Sequence, residues 1–483
     1  MSAPGASPQT KAPDNIKCHH FFDDAGREVF PGLGMELNDP RLHPNKCPHH
    51  RLVDVNPTEW KGMVLALRET NMILVMQRLM EKPEWYRKIF DDTICDKWMA
   101  EVVSQVEDFS ELMWQYCVAE LRDKAKTMEE TGVVAPIDVD VQVVYSDTTV
   151  PEDLRRDLDR AVASLENVPT KDKDWHPRTR ERVLDLVHPS LFPLIYGRSK
   201  VLREGVVELE NCTSYCGQGA VIERPESTSN TSTYHSLQFQ WLPCDVHFQE
   251  EPPLDLRREY ADSGLQIIVK LANTYLTPND PQWDGGLSNE HIIATAIYYF
   301  SNDNITPSHL KFRHNCSDEA HLDLEYDQGD WDHLEKITGF KDQTDALIQK
   351  LGSVLCKEGR LLAFPNVLQH NVGSFQLEDD TRGGERKILA LFLVDPHVRI
   401  LSTSKVPPQR KDWWQSELRK QREDIHRLKT LPNELMEQVF GDVMDFPISM
   451  DEAKNVREAL MEERGPISED MIECEASFYF CEH

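Results

Sequence analysis

The sequence predicts an α+β protein with a helical N-terminal region, a double-stranded β-helix (jelly-roll) core and a helical C-terminal tail. Three observations carry this reading. Apolar residues recur at helical spacing between Pro57 and about Thr131. Apolar and β-branched runs bounded by turn residues crowd the stretch from Leu265 to Val394, which is the pattern of a jelly roll. The stretch from Trp413 to Glu463 is charged with helical character and is interrupted at Pro432.

Taken in chain order, residues 1–55 are rich in Pro and His, lack periodicity and read as an extended arm. Residues 56–134 form the helical region. Met63, Leu65 and Leu67, then Met72, Leu74, Val75 and Leu79, set its apolar stripe. Lys82-Pro83 breaks the run, because proline has no N–H to continue the ladder, and residues 85–90 resume it. Val102, Phe109, Leu112, Met113 and Leu121 continue the pattern on a further helix. Residues 135–250 mix one helix, around Glu152–Leu165, with strands and loops over 188–202 and 238–246. Residues 251–405 carry the predicted jelly roll, in the runs LQIIVKLANTYL, HIIATAIYYF, HLKF, RLLAF and KILALFLV. Residues 406–483 form the tail, expected to pack on the outside.

Composition narrows the function. A chain of 483 residues exceeds the ~100–200 of one domain, so two or three substructures and a sizeable core are expected. A formal charge of -30 opposes binding to a phosphate backbone, which makes nucleic acid an unfavoured partner. The first fifteen residues carry Pro, Ser and Gly where a secretory peptide has an apolar core, and no run approaches the ~18 residues of a membrane span. The expected location is cytoplasmic or nuclear, away from membranes. Eleven scattered cysteines fit reduced thiols better than a disulfide framework, so the Asn-x-Ser/Thr sequons at Asn211, Asn230, Asn304 and Asn315 read as chance. Cys18-His19-His20 and Cys47-Pro48-His49-His50 match no closed zinc pattern, and Cys212 and Cys216 read as a loose thiol pair.

The segment Gly359–Pro396 is the most informative for chemistry. His370 follows the strand Arg360–Phe364 and a Pro-Asn turn, and Arg386 opens the strand Lys387–Val394. A neutral imidazole is a good ligand for Fe(II), and a guanidinium grips a carboxylate through two parallel hydrogen bonds. Both are also ordinary residue types for strand ends. In Tyr298-Tyr299 one side chain must face inward because strand side chains alternate, and its hydroxyl then needs a partner, with plain core packing the favoured reading of the pair. Arg313, closing HLKFR, reads either as a ligand cation or as a solvated strand end.

Several motifs together carry a resemblance. They are Leu67–Trp98, VHPSLFPLIYGRSKVL (Val187–Leu202), FQWLPCDV (Phe239–Val246), Leu254–Pro278, NEHIIATAIYYFSNDNIT (Asn289–Thr306), GRLLAFPNVLQH (Gly359–His370), ERKILALFLVDPH (Glu385–His397), STSKVPPQ (Ser402–Gln409) and the terminal CEH. On these the chain resembles a large fungal family of uncharacterised proteins whose C-terminal half looks like a 2-oxoglutarate- and Fe(II)-dependent dioxygenase. The resemblance implies Fe(II) and 2-oxoglutarate as cofactors, His370 as a metal ligand, Arg386 as the clamp on the far carboxylate of 2-oxoglutarate, and Tyr298 as a contact to the same acid. The substrate would be an unidentified small molecule or protein.

The remaining metal ligands are expected as Trp-His-x-Glu-Gly just before HIIATAIYYF. Here the chain reads PQWDGGLSNEHIIA, without that motif. A second shared segment is expected after Val246 and is also missing. His321-Leu322-Asp323 fits the letter pattern of a substitute, although it falls in an acidic loop to which the resemblance gives no ligands. Glu290-His291 are strand neighbours pointing to opposite faces, and Asp284 with His370 makes only two ligands. Two function classes follow: an oxygenase of oxidative metabolism, and a metal-free relative that keeps the fold as a binding or scaffold module.

Overall fold

The computed structural model describes residues 21–23, 26–31, 33–35, 60–223, 255–277, 282–283, 292–316, 331–341, 344–396, 399–423, 431–443 and 445–473. Several sequence expectations fall outside these: the cysteine–histidine groups at 18–20 and 47–50, the motif at 239–246, Asp284, Glu290, His291, His321, Asp323 and the terminal CEH. The chain divides into two units, one made of residues 1–50, 194–266 and 395–450, the other of 51–193, 267–394 and 451–483.

The first unit holds three short strands, Phe21–Phe22, Glu28–Pro31 and Gly34–Met35, whose buried Val29 and Met35 pack with Phe21 and Ile400. It also holds a two-stranded ribbon, Lys200–Val201 with Ala220–Val221. Two of its helices, Lys411–Lys420 and Asn433–Asp442, follow from the charged, periodic sequence there, the second starting directly after Pro432. No helix among the described residues is long and apolar enough to cross a membrane.

The second unit carries the larger core. Its helices include α1 (Leu67–Met80), α2 (Asp92–Gln105), α3 (Glu111–Thr131) and α4 (Glu152–Glu166). Local chemistry sets their ends. The Asp91 carboxylate accepts from the N–H groups of Thr93 and Ile94 at the start of α2, and the Ser110 hydroxyl accepts from Met113 N–H at the start of α3. Each such cap contributes about 1 kcal/mol. Gly132, at φ 72°, ends α3 in the left-handed conformation that glycine adopts without a Cβ penalty.

Eight strands follow in order: β1 (Ile267–Leu276), β2 (Gln282–Trp283), β3 (Ile292–Asp303), β4 (His309–Cys316), β5 (Ile348–Leu355), β6 (Leu361–Pro365), β7 (Gln369–Val372, continuing as Phe375–Gln376) and β8 (Gly384–Val394). Their pairings are nested: β1 with β8, β2 with the second segment of β7, β3 with β6 and β4 with β5, all antiparallel. Further pairs, β3 with β8 and β4 with β7, join them into sheets. The larger sheet runs Val134–Asp138, Gln142–Ser146, β6, β3, β8, β1, Val183–Val187, and the smaller runs β5, β4, β7. The sheets are open, and no closed barrel forms among the described residues.

Alternation of side chains decides what each sheet face meets. Tyr299, Leu362 and Phe364 of the larger sheet share one apolar core with Leu310, Phe312, Leu351 and Val354 of the smaller, capped by Val75, Leu79 and Leu121 of α1 and α3. On the opposite face of the larger sheet, Tyr298, Phe300 and Leu271 pack on Val162 of α4. Buried Gln77 ties α1 to β5, donating to Leu351 O at 2.9 Å and accepting from Ser353 N–H at 3.1 Å. Gly352 lies between them at φ 115°, where a Cβ would overlap the Gln77 amide.

Candidate functional site

Arg386 lies near the start of β8, opposite Thr274 of β1 and Asn302 of β3. Alternation turns it to the inner face, with Ile388. Its side chain is sealed, the residue being only 4% exposed. Nε donates to Asn302 Oδ1 at 3.1 Å, and the guanidinium carbon stands 4.0 Å from the Phe375 ring centre and 5.7 Å from that of Tyr299. Nη1 is buried and makes no hydrogen bond, and among the described residues no carboxylate pairs with this arginine. Burial pulls its pKa down, yet a guanidinium keeps its charge at any ordinary pH. A buried positive charge with one unused N–H set is costly, and an incoming carboxylate would offset that cost.

Of the tyrosine pair, Tyr299 is the one beside Arg386. Tyr298, the residue expected to contact the acid, lies on the far face against Val162 and Phe300, because the strand pleat sends neighbours to opposite sides. The Tyr299 hydroxyl accepts from the Cys356 thiol at 3.2 Å, and burial pushes the phenol well above its ordinary pKa.

His370 sits on β7, opposite Phe312. Its ring meets the Phe364 ring edge-on at 4.7 Å and lies 6.5 Å from that of Phe312. Burial pulls its pKa below the usual histidine value, with a hydrogen bond to the Leu368 backbone opposing the shift, so the ring is neutral and suited to hold a metal. His370 and Arg386 stand on different sheets, and no hydrogen bond or ring contact joins them. Their neighbours Phe312, Phe364 and Tyr299 belong to one core, so both border the same interior. The Arg313 guanidinium donates to Gln369 Oε1 at 2.8 Å, next to His370. Cys216 is buried and Cys212 half-buried, and both are free thiols.

A second constellation gathers around Asp185, on the strand Val183–Val187 that flanks β1. The segment at 174–176 runs back along this strand, with Asp185 N–H bonded to Asp174 O at 2.9 Å and His176 N–H to Val183 O at 2.8 Å. The intervening turn holds Arg178, Arg180 and Glu181 at φ 64°, 52° and 58°, a left-handed conformation that costs non-glycine residues energy. The result is convergence. His176 Nδ1 lies 2.7 Å from Asp185 Oδ2, and one donor atom each from His176, Asp185 and His188 fall within 4.8 Å of one another.

Arg457, only 1% exposed, closes the other side of this cluster. It donates to both Asp174 oxygens at 2.8 and 2.9 Å and to Asp185 Oδ2 at 3.2 Å. Asp185 Oδ1 is buried and unpartnered. Burial would raise the Asp185 pKa, but the His176 hydrogen bond and nearby positive charge hold it below the usual carboxylate range. Burial pulls His188 down to about 3, against the attraction of Asp185, and lowers the amine of Lys270 on β1. Ser190 N–H donates to His188 Nδ1 at 3.1 Å. Sequence reasoning missed this cluster. Its only local signal is the string HPRTRERVLDLVH from His176 to His188, whose spacing follows no helical or strand period.

Profiles of one family match residues 111–255 and 249–417, and a profile of the same family's N-terminal domain matches 30–101. Together they cover more than half of the chain. The chain belongs to this family, described as "Protein of unknown function (DUF4246)". Its N-terminal match covers α1 and most of α2, and its main match runs from the start of α3 past β8. The main match comes in two parts that overlap at 249–255. Comparison with curated proteins finds no match.

Proposed function

We propose that this DUF4246 chain is a 2-oxoglutarate dioxygenase-like protein that binds a small organic diacid at Arg386. The single observation that carries the reading is the buried guanidinium of Arg386, whose Nη1 has no partner and which no carboxylate neutralises among the described residues. The nested strand pairing supports a jelly-roll core, since pairing first with last and second with seventh is how a long antiparallel ribbon rolls up. The sequence resemblance supports the choice of acid: it implies that the arginine opening the last strand clamps the far carboxylate of 2-oxoglutarate. Asn302 would steady the guanidinium, and Phe375 and Tyr299 would exclude water from the ion pair.

The described residues do not make an Fe(II) site at His370. The ring is neutral and able to donate one nitrogen, but the three-donor grouping found among the described residues is His176, Asp185 and His188, which excludes His370. One imidazole gives neither the chelation nor the fixed geometry of a facial triad. The missing Trp-His-x-Glu-Gly motif points the same way. On the missing motif the acid-binding module is favoured over oxidation by this form of the chain, with Asp284, His321 and Asp323 lying outside the described residues, and a tailoring role in fungal metabolism follows from the resemblance alone.

The test is calorimetry of the full chain with 2-oxoglutarate, in wild type and Arg386→Met. Saturable one-to-one binding that the substitution abolishes is the expected result. Binding unchanged in Arg386→Met would sink the proposal. Succinate formation on adding Fe(II) and oxygen would replace the binding module with the oxygenase.

A further inference from the structure

We propose that His176, Asp185 and His188 form a binding site for one divalent transition-metal ion of the zinc type, separate from anything at His370. The donor set fits such an ion: two imidazoles and one carboxylate supply the borderline nitrogen and hard oxygen ligands that Zn(II) takes, leaving one position open. The distances are close to fitting. Donors bonded at about 2.0–2.2 Å to one tetrahedral ion stand roughly 3.3–3.6 Å apart, so atoms within 4.8 Å of one another are brought to an ion by side-chain shifts of up to about 1.5 Å.

A second observation points independently to a ligand. Asp185 is 4% exposed, and its Oδ1 is sealed from water with no hydrogen-bond partner, while Oδ2 already serves His176 and Arg457. A carboxylate oxygen left bare in a protein interior is costly, and a cation is the partner that removes most of that cost. The charges leave room for one only as Lys270 gives up its own. Asp174 and Asp185 bring two negative charges and buried Arg457 returns one, while Lys454 reaches only Asp174, at 3.4 Å, from a part-exposed position. Lys270, facing Asp185 and Arg457, is the resident group that competes for the remaining charge.

The frame is held in the way that metal sites require. The carboxylate sits on a paired strand, His176 is fixed by its backbone bond to Val183 across a turn of three left-handed residues, and His188 closes the loop three residues after Asp185. Binding costs two existing contacts. The ion takes Asp185 Oδ1 and a lone pair of the His176 ring, so the hydrogen bond between His176 Nδ1 and Asp185 Oδ2 is given up, and the Ser190 N–H contact to His188 Nδ1 gives way as that ring takes up its ligand tautomer.

The experiment uses chelator-stripped full-length protein titrated with Zn(II) by calorimetry. Wild type and His370→Gln are expected to bind one ion with equal affinity, and Asp185→Asn and His188→Gln to bind it at least roughly tenfold more weakly. Absence of binding, equal affinity in all four proteins, or loss in His370→Gln would overturn the assignment. A second measurement covers the case in which the two cluster variants do not fold: carbethoxylation of wild type, mapped by mass spectrometry. Protection of His176 and His188 by Zn(II) supports the site, and unchanged reactivity of both overturns it.

Discussion

Arg386 and Arg457 are both sealed arginines in the same unit, and their surroundings are opposites. Arg457 lies between two carboxylates, with five-atom contact to Asp174 and Asp185 at 2.8–3.2 Å. Arg386 has an amide oxygen, two aromatic faces and, among the described residues, no carboxylate. Removing a charge from water costs several kcal/mol in either place. At Arg457 the fold supplies the compensation from its own chain. At Arg386 no carboxylate among the described residues supplies it, and the diacid proposed above would. The same logic runs in reverse at Asp185, where the arginine covers one carboxylate oxygen and leaves the other bare.

The contrast is sharpest when one substitution is made at both places. Arg457→Met strands Asp174 and Asp185 in the interior, and unfolding in urea is expected to show a loss of about 3–5 kcal/mol. Arg386→Met removes an uncompensated charge and replaces it with a flexible apolar chain of similar length. Ligand-free stability is then expected to be unchanged or higher by about 1 kcal/mol, while the rise in melting temperature caused by 2-oxoglutarate disappears. Equal losses from the two substitutions would break the comparison, because they would mean that Arg386 is satisfied by the fold alone.

Acid probes the same difference from the anionic side. In chelator-treated protein, His188 titrates near 6.5 when unfolded and near 3 when folded, because burial disfavours the imidazolium. A folded value below the unfolded one means that the unfolded chain binds more protons between these limits, so stability falls as pH drops from about 6.5 toward 3. Asp185, held low by His176 and nearby positive charge, loses its share in the acid part of the same range. Urea midpoints measured across this range are expected to slope less steeply in His188→Gln. A slope identical to wild type would show that the ring is solvated and the cluster open.

Much of this was legible in the sequence, and the failures have physical causes. β1, β3, β6 and β8 announce themselves as apolar runs because the larger sheet is covered on both faces. β5 does not, since Gln349, Lys350 and Ser353 interrupt its pattern. Gln349 is nevertheless buried, accepting from Leu65 N–H at 2.8 Å and donating to Leu65 O at 2.9 Å, a pairing with a residue far away in sequence. Arg386 could be picked out because it opens a recognisable strand. The Asp185 cluster could not, because Arg457, which completes it, comes from the helix Met450–Glu473 and no local pattern links the two. Alternation says that one of Tyr298 and Tyr299 faces inward, but which one depends on register, and the irregularity between Tyr299 and Ser301 in the pairing of β3 with β8 is invisible in the string.

That register gives the finest test. Tyr299→Phe keeps the ring beside Arg386 and removes only the hydroxyl that accepts from Cys356, a bond with a weak sulfur donor, so stability should change by less than about 1 kcal/mol. Tyr298→Phe, on the face toward α4, should change stability by no more than about the same amount. Acid binding separates the two. The Tyr299 substitution alters the polarity next to the guanidinium and is expected to shift the calorimetric affinity for 2-oxoglutarate, whereas the Tyr298 substitution leaves it at the wild-type value. A shift in Tyr298→Phe alone would put the diacid on the α4 side of the larger sheet, where Arg386 does not reach.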